Sequence, residues 1–144
     1  RTYVEPYNVP AQWEPVYEMK ENISIPVLGN GGILNVEDGL KKLGNLDGFL
    51  IGQATFGNPW VFLEKSREIS FAEKIPIIQK HSQWLIDLKG EYVGTKEIRK
   101  HLVSYARGFP GAKQFRSELV RVDSYKKICT VLGRIAEAVE PVFH

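Results

Sequence analysis

The residues whose types and spacing are best suited to chemistry are glycines. Two clusters, Asn30-Gly31-Gly32 and Gly52-Gln53, each close a short apolar run, Ile25 to Leu28 and Gly48 to Ile51. Glycine at such a strand end allows positive φ and lets a ligand come close to the main chain, leaving N–H groups pointed at an anion. A phosphate suits such loops through donor geometry and dipole. A second kind of chemistry is suggested between residues 96 and 134, where ten Lys/Arg stand against three Asp/Glu. A basic stretch of that kind suits a polyanion. Each feature also has a plain reading: either loop is a tight βα turn, and the cations cover a solvated helix face paired with Glu97 and Glu118.

The elements that must position these groups follow from periodicity. Ile25–Leu28 and Gly48–Ile51 are too short for buried helices and lack polar alternation, so they read as strands buried on both faces. A helix from about Val36 to Leu43 joins them, with Asn35 as N-cap and Gly44 at the C′ position. Strand, helix, strand with both strands ending in glycine fits parallel β/α architecture. Two such turns in tandem favour a (β/α)8 barrel over an open doubly wound sheet. Upstream, residues 1 to 12 read as a loop and Trp13–Asn22 as a short helix with Pro15 in its first turn. Downstream, Gly57-Asn58-Pro59 is expected to start a helix running to about Glu68, and residues 69 to 75 to form a linker. The remainder reads as all-helical. A helix from Pro76 to Lys89 carries Ile77, Ile78, His81, Leu85 and Leu88 as its apolar stripe. Another runs from Gly94 or Thr95 through Arg107 with Ile98, Leu102 and Tyr105 inward. A turn at Gly108-Phe109-Pro110-Gly111 and helices over 112–120 and 124–139 complete the chain.

Composition narrows the class. The sequence has 144 residues, 43% hydrophobic and 25% charged, with a net charge of +2. That is the mix of an ordinary globular domain, yet a full barrel needs roughly 200 to 250 residues. The expectation is therefore a portion of a barrel followed by a small helical domain. No long uncharged apolar stretch suggests a membrane span. The lone Cys129 permits neither an internal disulfide nor a cysteine-cage metal site, and suits a cytoplasmic setting.

The run Ile25-Pro26-Val27-Leu28-Gly29-Asn30-Gly31-Gly32-Ile33, followed by Asp47-Gly48-Phe49-Leu50-Ile51-Gly52-Gln53-Ala54 and Gly57-Asn58-Pro59-Trp60, resembles the tRNA-dihydrouridine synthase family. Arg1-Thr2, Tyr7 and Trp13 resemble the family's segment after an inner barrel strand. Ile98-Arg99-Lys100-His101-Leu102, Tyr105, Gly108, Pro110 and Phe115-Arg116 resemble its helical domain. The resemblance covers nearly the whole chain but only the last part of the family's length. It implies the C-terminal βα units of an FMN-binding TIM barrel over residues 1–70 and a helical tRNA-binding domain over 71–144. It also implies reduction of uridine to 5,6-dihydrouridine in tRNA, with NADPH as the reductant of the flavin. Asn30, Gly31 and Gly32 would form one FMN phosphate loop, and Gly52 with Gln53 the other. The sequence departs from the family at both loops: Gly32 stands where Asp is usual and Gln53 where Arg is usual. Replacing a charged donor by a neutral amide is worth roughly 1 kcal/mol, or about tenfold in flavin affinity.

The resemblance also implies a catalytic cysteine acid on a mid-barrel loop. Nothing here matches it. Cys129 lies among Ile128, Val131 and Leu132 and reads as a small core residue, so no catalytic residue and no metal ligand is assigned, and the chain alone is expected to be inactive. For RNA contact the expected residues are Arg99, Lys100, Arg107 and Arg116, gripping phosphates in a salt-sensitive way. Among the aromatics, helical spacing makes most of Trp60, Phe62, Trp84, Tyr92, Tyr105, Phe109 and Phe115 core. Two other readings stay open: a different FMN- or phosphate-binding TIM-barrel oxidoreductase, and a truncated, non-catalytic RNA-binding module. A partial barrel also exposes strand edges, which invites self-association.

Overall fold

A computed structural model describes residues 9–65 and 67–139. Arg1, Thr2 and Tyr7, which entered the family resemblance, lie outside the described residues. The chain divides into two compact units, Arg1–Ser66 and Arg67–His144.

The first unit opens with α1 (Glu14–Glu21), then β1 (Leu28–Asn30), α2 (Val36–Lys41) and β2 (Gly48–Leu50). β1 and β2 are parallel neighbours, with Leu28 opposite Gly48 and Asn30 opposite Leu50. Their helix-facing side is a small core of Trp13, Val27, Ile33 and Leu46, packed against Val16, Tyr17, Leu43 and Phe49. Asn35 does cap α2, its Oδ1 accepting the Asp38 N–H at 2.8 Å. Gly44, with φ of +52°, sits two residues beyond the Lys42 cap rather than one.

Three expectations change in this unit. β1 begins at Leu28, not Ile25, because Pro26 has no N–H to give a ladder and the Val27 N–H is taken by the Asp47 carboxylate at 2.7 Å. Asn30 is thus the last strand residue rather than a loop residue. The strands are also covered on one side only: Leu28 and Leu50, on the face away from the core, are 54% and 49% exposed. Finally, Gly57-Asn58-Pro59 introduces only a 3₁₀ turn, Pro59–Phe62, preceded by another at Gln53–Thr55. Asn58 makes no side-chain cap bond there, so the turn is not extended into a helix.

In the second unit the described elements are helices: α3 (Phe71–Lys89), α4 (Glu91–Tyr105), α5 (Ala112–Leu119) and α6 (Tyr125–Val139). α3 starts inside the segment expected to be a linker. Ser70 and Glu73 form a capping box, each side chain bonding the other's backbone N–H, and this sets the helix start five residues before Pro76. Pro76 then sits within the second turn, where it removes one helical hydrogen bond without ending the helix. The buried stripe of α3 is Phe71, Ile78 and Ser82, while Ile77 and Leu88 of the expected stripe are exposed.

Gly90, at φ +78°, both ends α3 and starts α4, so the two helices form a hairpin joined by one residue. The pair packs closely at Gly94, where a Cβ would stand 2.7 Å from Ile86 Cα and from the Leu85 carbonyl oxygen. Ile98 and Leu102 of α4, Leu119 of α5, and Ile128, Leu132 and Ile135 of α6 are fully buried. Each such side chain contributes about 1.5–3 kcal/mol of burial free energy.

Candidate functional site

In the first unit the two glycine loops come together. Asn30, Gly31, Gly32, Gly52 and Gln53 line one open cleft of about 490 Å³, joined by Ile33, Leu34 and Ala54. No carboxylate is among these residues. Gly32 adopts φ +62°, a left-handed conformation, and a Cβ at Gly32 or at Gly52 would meet no atom within 4 Å. Both loops therefore present bare main chain to the cleft. The N–H groups of Gly32, Ile33, Gln53 and Ala54 have no acceptor among the described residues. Backbone donors left open in this way, around a cleft with no carboxylate among its described lining residues, suit an oxyanion such as a phosphate. The neutral Gln53 amide can add a hydrogen bond but no charge.

The first loop is also fastened from behind, which the sequence did not signal. The Leu34 N–H donates to Asp38 Oδ2 at 2.9 Å, the same oxygen pairs with Lys42 Nζ at 2.8 Å, and Lys42 Nζ donates to the Gly32 carbonyl at 3.0 Å. The Lys42 bond first, and the Leu34 N–H second, hold the Asp38 carboxyl below its ordinary pKa. Tyr17 secures the end of α2 through its hydroxyl, which donates to the Lys42 carbonyl at 2.7 Å.

In the second unit the four basic residues expected to contact RNA fall into two kinds. Arg99 turns toward the protein: its Nε and Nη2 donate to the Val122 carbonyl at 2.8 and 2.6 Å. Arg116 donates to the carbonyl of Ala106, the residue that ends α4, at 3.2 Å. Lys100 and Arg107 are exposed, and neither side chain has a hydrogen bond or ion pair among the described residues. Of the two acids expected to pair with this face, Glu97 binds Lys89 across the hairpin and Glu118 binds Arg134.

Three aromatics depart from the expectation that helical spacing buries them. Trp84 is 62% and Tyr92 71% exposed, each with a lysine ammonium over its ring: Lys80 at 4.6 Å and Lys96 at 4.0 Å. Phe62 is exposed as well, whereas Tyr105 and Phe115 are buried as expected. His101 lies against His81, ring centroids 4.9 Å apart, and the His81 Nδ1 is 3.3 Å from the Tyr105 hydroxyl. Burial lowers the pKa of both histidines, with His81 and Lys100 adding to the effect at His101. Cys129 is half-buried rather than packed in the core, and the Gln79 amide donates to its Sγ at 3.7 Å. Among the described residues no group of three or more His, Cys, Asp or Glu is placed to hold a metal, and no helix is long and apolar enough to cross a membrane.

A strand–helix–strand unit with two glycine loops around one cleft defines an α/β protein, and the match to a family model makes the class specific. Residues 1–140 match the dihydrouridine synthase family, and the chain belongs to it. It is 32% identical to a probable tRNA-dihydrouridine synthase of Mycobacterium leprae over 96% of this chain and 39% of the relative. A probable tRNA-dihydrouridine synthase of Rickettsia prowazekii is 34% identical over 95% of this chain and 44% of its own length. The chain thus spans about two fifths of the length of the curated relatives it matches.

Proposed function

We propose that this chain supplies the flavin-phosphate cleft and part of the RNA grip of a tRNA-dihydrouridine synthase, which reduces uridine in tRNA to 5,6-dihydrouridine. The observation that carries the reading is the meeting of the two glycine loops at one cleft with no carboxylate among its described lining residues. In this reading residues 1–70 are the C-terminal βα units of a TIM barrel and residues 71–144 a helical tRNA-binding domain. The exposed strand face of Leu28 and Leu50 is then the side that faces the barrel interior, or that associates with a second copy. A tRNA substrate suits a cytoplasmic setting.

The open backbone donors at Gly32, Ile33, Gln53 and Ala54 fit the phosphate of FMN, with Asn30 and Gly31 shaping the first loop and Gly52 the second. FMN, when bound, supplies the hydride delivered to uracil, and NADPH restores it. This chain's residues hold the phosphate end of the cofactor. None is assigned to proton transfer: Cys129 is in α6, beside Gln79, and is not the acid.

On the RNA side, Lys100 and Arg107 are the cations available for phosphates. Arg99 and Arg116 carry positive charge into the same region while bound to carbonyls. Trp84 and Tyr92 offer exposed ring faces on which unpaired bases can stack, with Lys80 and Lys96 beside them.

The test is a titration of the purified chain with tRNA at 50 and 200 mM salt, with its flavin absorbance recorded beforehand. Salt-sensitive tRNA binding together with FMN uptake supports the reading. RNA binding without flavin uptake favours a non-catalytic RNA-binding module, since Gln53 brings no charge to the phosphate. Flavin uptake without tRNA affinity favours another FMN-binding barrel oxidoreductase.

A further inference from the structure

The glycine loop is not held by its own turn alone. Gly32 is joined to Ile33 by a trans peptide, in which C=O and N–H point in opposite directions. Lys42 draws the Gly32 carbonyl toward α2 with a 3.0 Å hydrogen bond. The Ile33 N–H therefore points away from Lys42, and it has no acceptor among the described residues. The next N–H, that of Leu34, is turned the other way and closed off by Asp38 at 2.9 Å. One i,i+4 pair on α2 thus fixes two successive peptide planes, leaving one donor open and closing the next.

We propose that Lys42, locked to Asp38, is a positioning residue for the phosphate of the cofactor. It holds the Gly32–Ile33 peptide so that the Ile33 N–H is presented to the anion. This rests on the flavin reading for the identity of the ligand, but the geometry concerns any phosphate in the cleft. The side chain acts through the loop and need not touch the phosphate.

The experiment compares FMN with riboflavin, which has the same ring and no phosphate, on the full chain. Lys42→Met is expected to weaken FMN binding about tenfold, the scale of one charge-assisted hydrogen bond, and to leave riboflavin binding unchanged. Lys42→Arg, which keeps charge and donors, is expected to retain FMN affinity to within about threefold. Asp38→Asn, which removes the lock but not the lysine, should fall between the two. Equal losses for FMN and riboflavin, or no loss for FMN, overturn the proposal.

A structural readout separates this from failure of the flavin reading. Inorganic phosphate is titrated while the amide signals of Ile33 and Leu34 are followed. If the chain binds neither flavin, the flavin reading fails; a phosphate-induced shift at Ile33 that is lost in Lys42→Met still supports the positioning role, and an unchanged shift overturns it. Should Lys42→Met not fold, the same readouts on Asp38→Asn and Lys42→Arg decide.

Discussion

The two units dispose of their hydrogen-bond donors in opposite ways. In the first, side chains are pulled back: Gly32 and Gly52 leave open space, and the peptide N–H groups of the lining residues Gly32, Ile33, Gln53 and Ala54 have no acceptor among the described residues. In the second, positive side chains are abundant, yet the two arginines closest to the helix core are directed inward, onto the carbonyls of Val122 and Ala106. Abundance of charge and availability of charge are different quantities. A glycine loop offers donors that nothing else in the fold can use, whereas an arginine is readily recruited to satisfy a buried carbonyl, because its guanidinium carries five donors. The unit with fewer charges thus has the better-defined set of open donors.

The comparison breaks first if the hairpin that carries the basic residues is not packed as described. Gly94→Val would force a side chain onto the backbone of Ile86, and the loss should reach about 3 kcal/mol or more, read as a large drop in thermal midpoint of the helical unit. Next comes the division among the cations. Arg99→Ala should cost about 1–3 kcal/mol, since it strands the carbonyl of Val122, itself 3% exposed. Lys100→Ala and Arg107→Ala should leave stability within about 0.5 kcal/mol and instead lower the salt slope of tRNA binding by roughly one each. A stability loss at Lys100 or an unshifted midpoint at Arg99 would erase the distinction.

Acid should act on the second unit. Burial depresses the pKa of His81 and His101 below the ordinary 6.5, so the unfolded chain takes up protons first as pH falls. Stability is then full above about pH 6.5 and declines below it toward the folded values. Groups adjoining the pair include the Tyr105 hydroxyl, beside His81, and the Lys100 ammonium, which disfavours the charged form of His101. A thermal midpoint that falls between pH 6.5 and 5, and falls less in His81→Gln, would confirm the sign. The smallest effects are expected at the loops themselves. Gly32→Ala, at φ +62°, should destabilise by about 1 kcal/mol, while Gly52→Ala, at φ −101° with open space beside it, should be nearly neutral. Equal costs at the two positions would mean that the loops are not held in the conformations described.

Much of this was legible in the residues. Short apolar runs ending in glycine led to the paired strands and to the cleft, and Asn35 and the Gly108–Gly111 turn were in place. The start of α3 was also written, as Ser70-x-x-Glu73, but Pro76 drew the boundary downstream because its own rule is strong when taken alone. What could not be read was direction. Arg99 reaches a carbonyl 23 residues away, at Val122, and nothing in its local spacing separates it from Lys100 beside it. The same holds for Trp84 and Leu88: helical periodicity marks a stripe, but which stripe is covered depends on where the neighbouring helices lie. Lys42 is the sharpest case. In the sequence it is one of two adjacent lysines on a polar helix face; only the fold shows that it reaches Gly32.

The single-residue joint at Gly90 bears on how the chain acquires its structure. Closing so short a connection forfeits little chain entropy, and it brings together two long segments whose contacts are nearly adjacent along the polypeptide. The α3–α4 hairpin is therefore expected to form early in the folding of the helical unit, with α5 and α6 joining it afterwards. Substitutions in the seam between Ile78, Gly94, Ile98 and Leu102 should slow refolding, while those confined to the α5–α6 contacts, such as Arg134 with Glu118, should chiefly hasten unfolding.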